Sequence, residues 1–307
     1  MKRRVFIQKS LGAGALAGTA LAFGDISSLL ASEIFMPGLP YDLVAVKGGE
    51  PEAMFEKAIL SLGGMKAFVK KGQKVVVKPN IGWDVSPERA GNTNPKLVAR
   101  IIKHCLDAGA GEVYVFDNTC DNWAKCYKNS GIEKAVKDAG GKMAQANTEG
   151  YFQAVQVKQG KNLKNAKVHE LILGADVFIN VPVLKHHSSA EITVSMKNLM
   201  GVVWDRGYWH SNDLNQCIAD YATYRKPNLN IVDGYRVMMR NGPRGVSEAD
   251  LVTMKQLLIS TDMVAIDAAA TKIFGSDPAS IPYIKKANDM KVGRMDLKSL
   301  NINRIAM

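Results

Sequence analysis

Val75-Val76-Val77-Lys78-Pro79-Asn80 is the stretch that decides the fold. Three consecutive β-branched residues make an apolar run without polar alternation, the mark of a strand buried on both faces. Strands of this kind belong to parallel sheets sandwiched between helices. Proline then interrupts the ladder, and a lysine and an asparagine stand at the strand's carboxyl end. The pattern recurs along the chain. Val113-Tyr114-Val115-Phe116 runs into Asp117, and Val177-Phe178-Ile179 into Asn180-Val181-Pro182. Leu229-Asn230-Ile231-Val232 runs into Asp233-Gly234, and residues 256–259 into Ser260-Thr261-Asp262. Leu43-Val44-Ala45-Val46 is a further short strand. Helical spacing fills the intervals at 51–69 (weakened by Gly63-Gly64), 95–108, 132–139, 190–203, 213–224, 262–274 and 278–288. Pro95 suits a first helical turn, Gly109 a helix end, and Asp262 an N-cap. Strands alternating with helices predict an α/β fold whose mostly parallel sheet carries helices on both faces. The lysine- and glutamine-rich stretch 142–165 predicts a small β insertion, with an edge strand near Val155 and a short helix over 168–173.

The chain has 307 residues, with Lys+Arg 40 against Asp+Glu 29 and a net charge of +11. That length buries a core without staples, and 47% hydrophobic against 22% charged residues excludes a disordered chain. Four cysteines exclude a disulfide-built scaffold. The basic excess raises the question of nucleic acid, but there is no basic helix and no aromatic–basic interleaving, so nucleic acid is not an expected partner. Part of the charge belongs to the N-terminus. Lys2-Arg3-Arg4-Val5-Phe6-Ile7-Gln8-Lys9, followed by the uncharged Ala-, Gly- and Leu-rich stretch 11–23, reads as a twin-arginine export signal spanning 1–31. The expected partner is then the twin-arginine export machinery, and the destination is periplasmic or otherwise extracytoplasmic. Removal of this segment would take the net charge from +11 to +8. Ala31 is a candidate cleavage point, but Leu29 at minus three is not small, which leaves an uncleaved membrane anchor open. Residues 32–307 are expected to form a single α/β domain.

Parallel α/β sheets bind ligands at the carboxyl ends of their strands, where loops and helix N-termini converge. The polar residues following strands in this chain therefore predict one shared cleft. Lys78 and Lys185 follow strands, and Lys197 shares a helical face with Thr193, Val194 and Met200; all three can neutralise an anionic ligand. Asn80 and Asn198 would orient it. Asp117 and Asp233 would position lysines or a metal. The turn Arg240-Asn241-Gly242-Pro243-Arg244-Gly245 offers backbone N–H groups and guanidinium to an anion. His186-His187 is expected in a loop after Pro182, one ring turned inward and the other structural. His187, with His210 after the aromatic stretch 204–209, is a candidate for acid–base work or a metal ion. No His-Glu-x-x-His or facial-triad spacing supports the metal. Cys105 and Cys217 fall on apolar helix faces. Cys120 and Cys126 flank one loop, as a local disulfide or as free thiols facing the cleft. No Cys-x-x-Cys spacing exists, so a built-in ferredoxin-type cluster is not expected.

Val77-Lys78-Pro79-Asn80, Asn92-Thr93-Asn94-Pro95, Val115-Phe116-Asp117, residues 181–187, residues 196–201, Val232-Asp233-Gly234, Asn241-Gly242-Pro243 and residues 260–267 occur in that order. Together they resemble the domain-of-unknown-function family numbered 362, over roughly 43–280. The resemblance implies a polar site built from Lys78, Asn80, Asp117, Lys185, His187, Lys197, Asn198, Asp233 and Asp262, to which Asn94 and Asn241 are added as cofactor-binding candidates. It also implies redox or cofactor chemistry, although this chain lacks the cysteine-rich module of many members. By analogy, the lysine and histidine layout is similar to the N-terminal domain of nickel-pincer lactate racemases, which implies an organometallic or anionic cofactor. The expected protein is exported, cofactor- or metal-dependent and redox-related, and it binds an anionic small molecule beside a redox partner protein. The rival readings are a non-enzymatic binding protein for an anion or metal, and an accessory subunit of an exported redox complex.

Overall fold

Residues 38–307 are described in the computed structural model and group as one compact unit. The export signal read in residues 1–31 lies outside the described residues. In chain order the elements are β1 (Leu43–Lys47), α1 (Pro51–Ser61), β2 (Lys74–Pro79), α2 (Pro95–Asp107), β3 (Glu112–Val115), α3 (Trp123–Asn129), α4 (Ile132–Asp138), β4 (Lys142–Met143), β5 (Phe152–Gln156), β6 (Asn165–His169) and α5 (Glu170–Leu173). They continue with β7 (Val177–Val181), β8 (Val183–His187), β9 (Glu191–Thr193), α6 (Ser195–Asn198), α7 (Arg206–Ser211), α8 (Leu214–Ala222), β10 (Leu229–Met238), β11 (Leu251–Ser260), α9 (Met263–Phe274), α10 (Pro282–Asp289) and β12 (Ile302–Ala306).

Side-chain alternation along the buried strands divides the core in two. Val75 and Val77 of β2 enter one apolar cluster, with Met54 and Phe55 of α1, Ile101 of α2 and Val136 of α4. Val76 enters the other, with Cys217 and Ile218 of α8, Ile266 of α9 and Ile284 of α10. Phe178 against Val177 and Ile179, and Leu258 against Leu257 and Ile259, divide the same way. This two-sided burial is why the strands read as continuous apolar runs, and it gives the expected α/β architecture with helices on both faces. The main path of the sheet is β12-β1-β11-β10-β7-β2-β3-β4. Its pairings are parallel except at β11, which runs antiparallel to both β1 and β10. The expected insertion is a two-stranded antiparallel sheet, β5 with β6, in which Phe152 faces His169.

Three local expectations are corrected. Residues 183–187 are a strand, not a loop: β8 pairs parallel with β10 and antiparallel with β9. Its polar side chains concealed the apolar signature a strand usually shows. Residues 190–203 are not one helix. Ile192 and Thr193 take the extended conformation their branching favours, in β9. The helical turn α6 starts only where the Asp267 carboxylate of α9 accepts from the Ser195 and Met196 N–H groups at 2.8 and 3.0 Å. Residues 168–173 divide between the end of β6 and the single turn α5.

Candidate functional site

The carboxyl ends of β2 and β3, the strand β8 and the turn α6 surround a cavity of about 410 Å³. Lys78, Asn80, Asp117, Lys185, His187, Lys197, Asn198 and His210 all line it, together with Cys120 and Arg206. Lys78 is the next-to-last residue of β2, with 1% of its surface exposed. Its Nζ donates to Asn198 O at 2.8 Å and Asn198 Oδ1 at 3.0 Å. It also lies 3.0 Å from Asp117 Oδ1, an ion-pair contact without hydrogen-bond alignment. Burial pushes the Lys78 ammonium down, and Asp117 opposes that push. Asp117 is held from its other side, where Oδ2 accepts from Ile81 N–H at 2.6 Å.

Buried amides carry this order sideways. Asn198 Nδ2 donates to Asn180 Oδ1 at 2.9 Å, and Asn180 Nδ2 to Asn230 Oδ1 at 3.1 Å. Asn80 Nδ2 donates to Asn198 Oδ1 at 3.0 Å, while Asn80 Oδ1 accepts from Lys185 Nζ at 3.1 Å. Lys185 also donates to Gly91 O at 2.5 Å. Lys185 is buried, and desolvation brings its ammonium down to about 7. Lys197, 8% exposed, is brought down to about 8 by the same cause. Among the described residues, none forms a hydrogen bond or ion pair with the Lys197 ammonium. Its charge is therefore free for whatever enters the cavity.

β-Strand alternation puts Lys185 and His187 on the cavity side and turns His186 away, where its Nδ1 accepts from Gly242 N–H at 3.0 Å. His187 Nδ1 accepts from Ser189 N–H at 3.1 Å. Burial, then the Lys197 and Lys185 charges, lower its pKa to about 2, so the ring is neutral. With Nδ1 accepting, the one proton of a neutral ring sits on Nε2, which becomes a donor. A metal would need a lone pair there, so the His187 geometry does not fit a metal ligand. His210 stands at the solvent-exposed side of the cavity, and partial desolvation of its ring, then the Lys197 charge, lower its pKa. Among the described residues, no group of three or more His, Cys, Asp or Glu side chains is arranged to hold a metal ion. The donor set suits an anionic organic group instead: ammonium, amide and imidazole N–H face one carboxylate, that of Asp117.

Four of the candidates named from sequence do not line the cavity. Asn94 Oδ1 accepts from Lys96 N–H at 2.9 Å and caps α2. Asp233 Oδ2 accepts from Asn94 N–H at 2.8 Å, tying α2 to β10, and burial raises its pKa to about 6. Asn241 donates to Asp250 Oδ1 at 2.7 Å and helps pin the Gly/Pro turn, of which only Pro243 reaches the cavity. Asp262 Oδ1 accepts from Val264 and Ala265 N–H at 2.9 and 3.0 Å, capping α9. Asp262→Ala is expected to lower stability by about 1–2 kcal/mol in urea denaturation, the usual loss for an N-cap. A loss under a few tenths would remove the capping role.

The sequence reading overlooked Arg206. From α7 its guanidinium donates to Asn118 O at 2.8 Å, Thr119 O at 2.6 Å and Cys120 Sγ at 3.4 Å. It braces the loop after β3 through carbonyls and leaves its charge unneutralised by any carboxylate among these contacts. Cys120 and Cys126 are both free thiols; Cys120 is exposed in the cavity wall, and Cys126 is buried in α3.

Fold and site thus define an open α/β protein with a cationic cavity at the carboxyl ends of parallel strands. The chain belongs to the family described as domain of unknown function (DUF362), whose profile matches residues 75–272. It is 29% identical over 230 residues to the "Thylakoid-associated protein sll1697" of Synechocystis sp., covering 72% of this chain and 69% of that one. Among solved structures it is similar to the lactate racemase apoprotein from Thermoanaerobacterium thermosaccharolyticum, at 11% identity and a TM-score of 0.45. That match covers 80% of this chain and 56% of the other. A Thermotoga maritima protein matches at 9% identity and a TM-score of 0.45, covering 78% of this chain and 60% of its own. The chain spans less than two thirds of either structure's length.

Proposed function

We propose that this protein binds an anionic small molecule or anionic organic cofactor in the cavity, and that Lys197 makes the direct ionic contact. The observation that carries the reading is the charge count of the lining. Lys78, Lys185, Lys197 and Arg206 face a single carboxylate, Asp117, and Asp117 is already engaged by Lys78. Three of these cations are more than nine-tenths buried. Buried like charges this close are costly unless an anion answers them. Lys78 and Lys185 are already engaged by protein oxygens and hold the shape of the site. Lys197 is uncommitted, and His187 presents an Nε2–H. Near neutral pH, Lys197 can also hold or release a proton, which gives the site acid–base capacity.

The experiment is calorimetric titration with inorganic phosphate, pyrophosphate and small dicarboxylates across pH. An anion binds the protonated ammonium, so affinity is full below the folded-state value and falls as pH rises through it. With Lys185 at about 7 and Lys197 at about 8, affinity is expected to drop by about tenfold or more between pH 6 and pH 9. Lys197→Met is expected to lose about 10- to 100-fold at pH 6 and to flatten the upper part of that profile. Absence of binding by every anion at pH 6 would overturn the reading.

Two further parts of the proposal rest on other ground. Export of residues 32–307 as one α/β domain is carried by the twin-arginine pattern, and the name of the Synechocystis relative suits an extracytoplasmic place. The N-terminal residue of protein taken from its exported pool reports whether residues 1–31 have been removed. A redox role beside a partner protein is carried by family membership, and absorption spectroscopy of the same preparation tests it: no chromophore and no bound organic anion would sink it.

A further inference from the structure

Cys120 stands apart from the other thiols. Cys105, Cys126 and Cys217 are buried, whereas Cys120 is exposed and lines the cavity. Its backbone is fixed: its N–H donates to Gly82 O at 2.8 Å. Its sulfur accepts from the Arg206 guanidinium at 3.4 Å, a donor suited to sulfur carrying negative charge. A second observation points to a ligand in the same place. Lys197, more than nine-tenths buried and without a partner among the described residues, lines the same cavity. His187 adds its Nε2–H. A nucleophile, a guanidinium holding it, and N–H donors across the cavity are the parts needed to attack a carbonyl whose oxygen becomes anionic.

We propose that Cys120 is the nucleophile of this cavity and captures an anionic aldehyde or ketone as a reversible thiohemiacetal. This rests on the anion-binding reading above. The carboxylate of the ligand pairs with Lys197. Cys120 Sγ forms a bond to the carbonyl carbon, and the C=O π pair moves to oxygen. The thiol proton passes through the cavity amines to that oxygen, giving a hydroxyl. Atoms and charge balance, and no oxidant or reductant takes part. The ligand class is a small oxo acid, which brings both the anion and the electrophilic carbon the lining is equipped to receive.

The test uses the full chain under reducing conditions, with adducts located by peptide mass spectrometry. Iodoacetate is anionic and iodoacetamide neutral, so their rate ratio at Cys120, divided by the same ratio for glutathione, measures steering by the cavity. That quotient is expected to exceed 10, and Lys197→Met is expected to reduce it severalfold while the iodoacetamide rate changes less. Glyoxylate is expected to protect Cys120 from iodoacetamide at concentrations where glycolate, an anion of the same size without a carbonyl, does not. In calorimetric titration the parent is expected to bind glyoxylate more tightly than glycolate, and Cys120→Ser is expected to lose that difference. Phosphate binding with a Cys120 no more protected by glyoxylate than by glycolate would overturn the thiol proposal and leave the anion site standing. A steering quotient near 1 together with no phosphate binding would overturn both.

Discussion

Gly201→Ala is expected to cost at least about 3 kcal/mol of folding stability, read by urea denaturation, and to abolish anion binding in whatever folds. A Cβ built on Gly201 would stand 1.8 Å from Asp117 Oδ1 and 2.5 Å from Lys78 Nζ. No contact that short survives, and the two atoms it strikes are the partners of the buried ion pair. Neither can step aside easily. Asp117 is held by Ile81 N–H at 2.6 Å, and Lys78 by two oxygens of Asn198. The Gly201 backbone is itself fixed, its carbonyl accepting from Asn118 N–H at 2.9 Å. Ordinary overpacking costs about 1–3 kcal/mol. Opening a buried ion pair adds to that, because about 3–5 kcal/mol is lost when one buried charge is left without its partner. A loss below about 1 kcal/mol with anion affinity intact would show that the strand ends can spread and that the cradle is not rigid.

The same glycine marks where reading a sequence stops. Met196-Lys197-Asn198-Leu199-Met200-Gly201 carries enough pattern to single out Lys197 and Asn198, yet nothing in it says that Gly201 closes on residues 78 and 117. That fact exists only once β2, β3 and α6 are assembled. Elements whose signal is local were legible. The valine run of β2, Asn94-Pro95 opening α2 and Asp262 opening α9 express backbone preferences that act within one turn or one strand. Elements decided by distant partners were not. β8 carries Lys185-His186-His187 on a strand because β10 and β9 supply its ladder, and its side chains answer to the cavity. β12, with an Asn-Arg-containing sequence and half-exposed residues, is a strand because β1 pairs with it. Arg206 reaches carbonyls at positions 118 and 119, far away in sequence, so no spacing rule could find it. The amide chain through Asn180 and Asn230 was hidden for the same reason. Conversely, Asp233 and Asp262 looked like cleft residues because they follow strands, but the nearest unsatisfied groups there are backbone N–H donors, and those donors hold the carboxylates.

Asp117→Ala carries the other large effect, and its sign can be checked against pH. Removing the carboxylate leaves the Lys78 ammonium buried, with Lys185 and Lys197 lining the same cavity, and leaves the Ile81 N–H without an acceptor. At pH 7 the expected loss is about 3–5 kcal/mol. Part of it comes from the lost counter-charge, which makes the protonated Lys78 less favourable in the folded state than in the unfolded chain. Burial already lowers the folded value, and Asp117 is the largest opposing influence, so the variant moves lower still. A base whose folded value is depressed binds fewer protons folded than unfolded. Stability then rises with pH between the folded value and the unfolded one near 10.4, at up to about 1.4 kcal/mol per pH unit for one group. The deficit of Asp117→Ala relative to the parent is therefore expected to shrink as pH rises from 7 to 10. Lys78→Met in the same background should remove that pH dependence, because the group that titrates is gone. It should also recover part of the stability at pH 7, since an uncharged side chain of similar length needs no counter-charge. Full recovery is not expected, because the Asn198 carbonyl oxygen loses its Lys78 donor and the Asn198 amide oxygen keeps only Asn80. A deficit that stays constant from pH 7 to pH 10 would mean that Lys78 is not the strained charge. The cationic character of the cavity would then rest on Lys185, Lys197 and Arg206 alone.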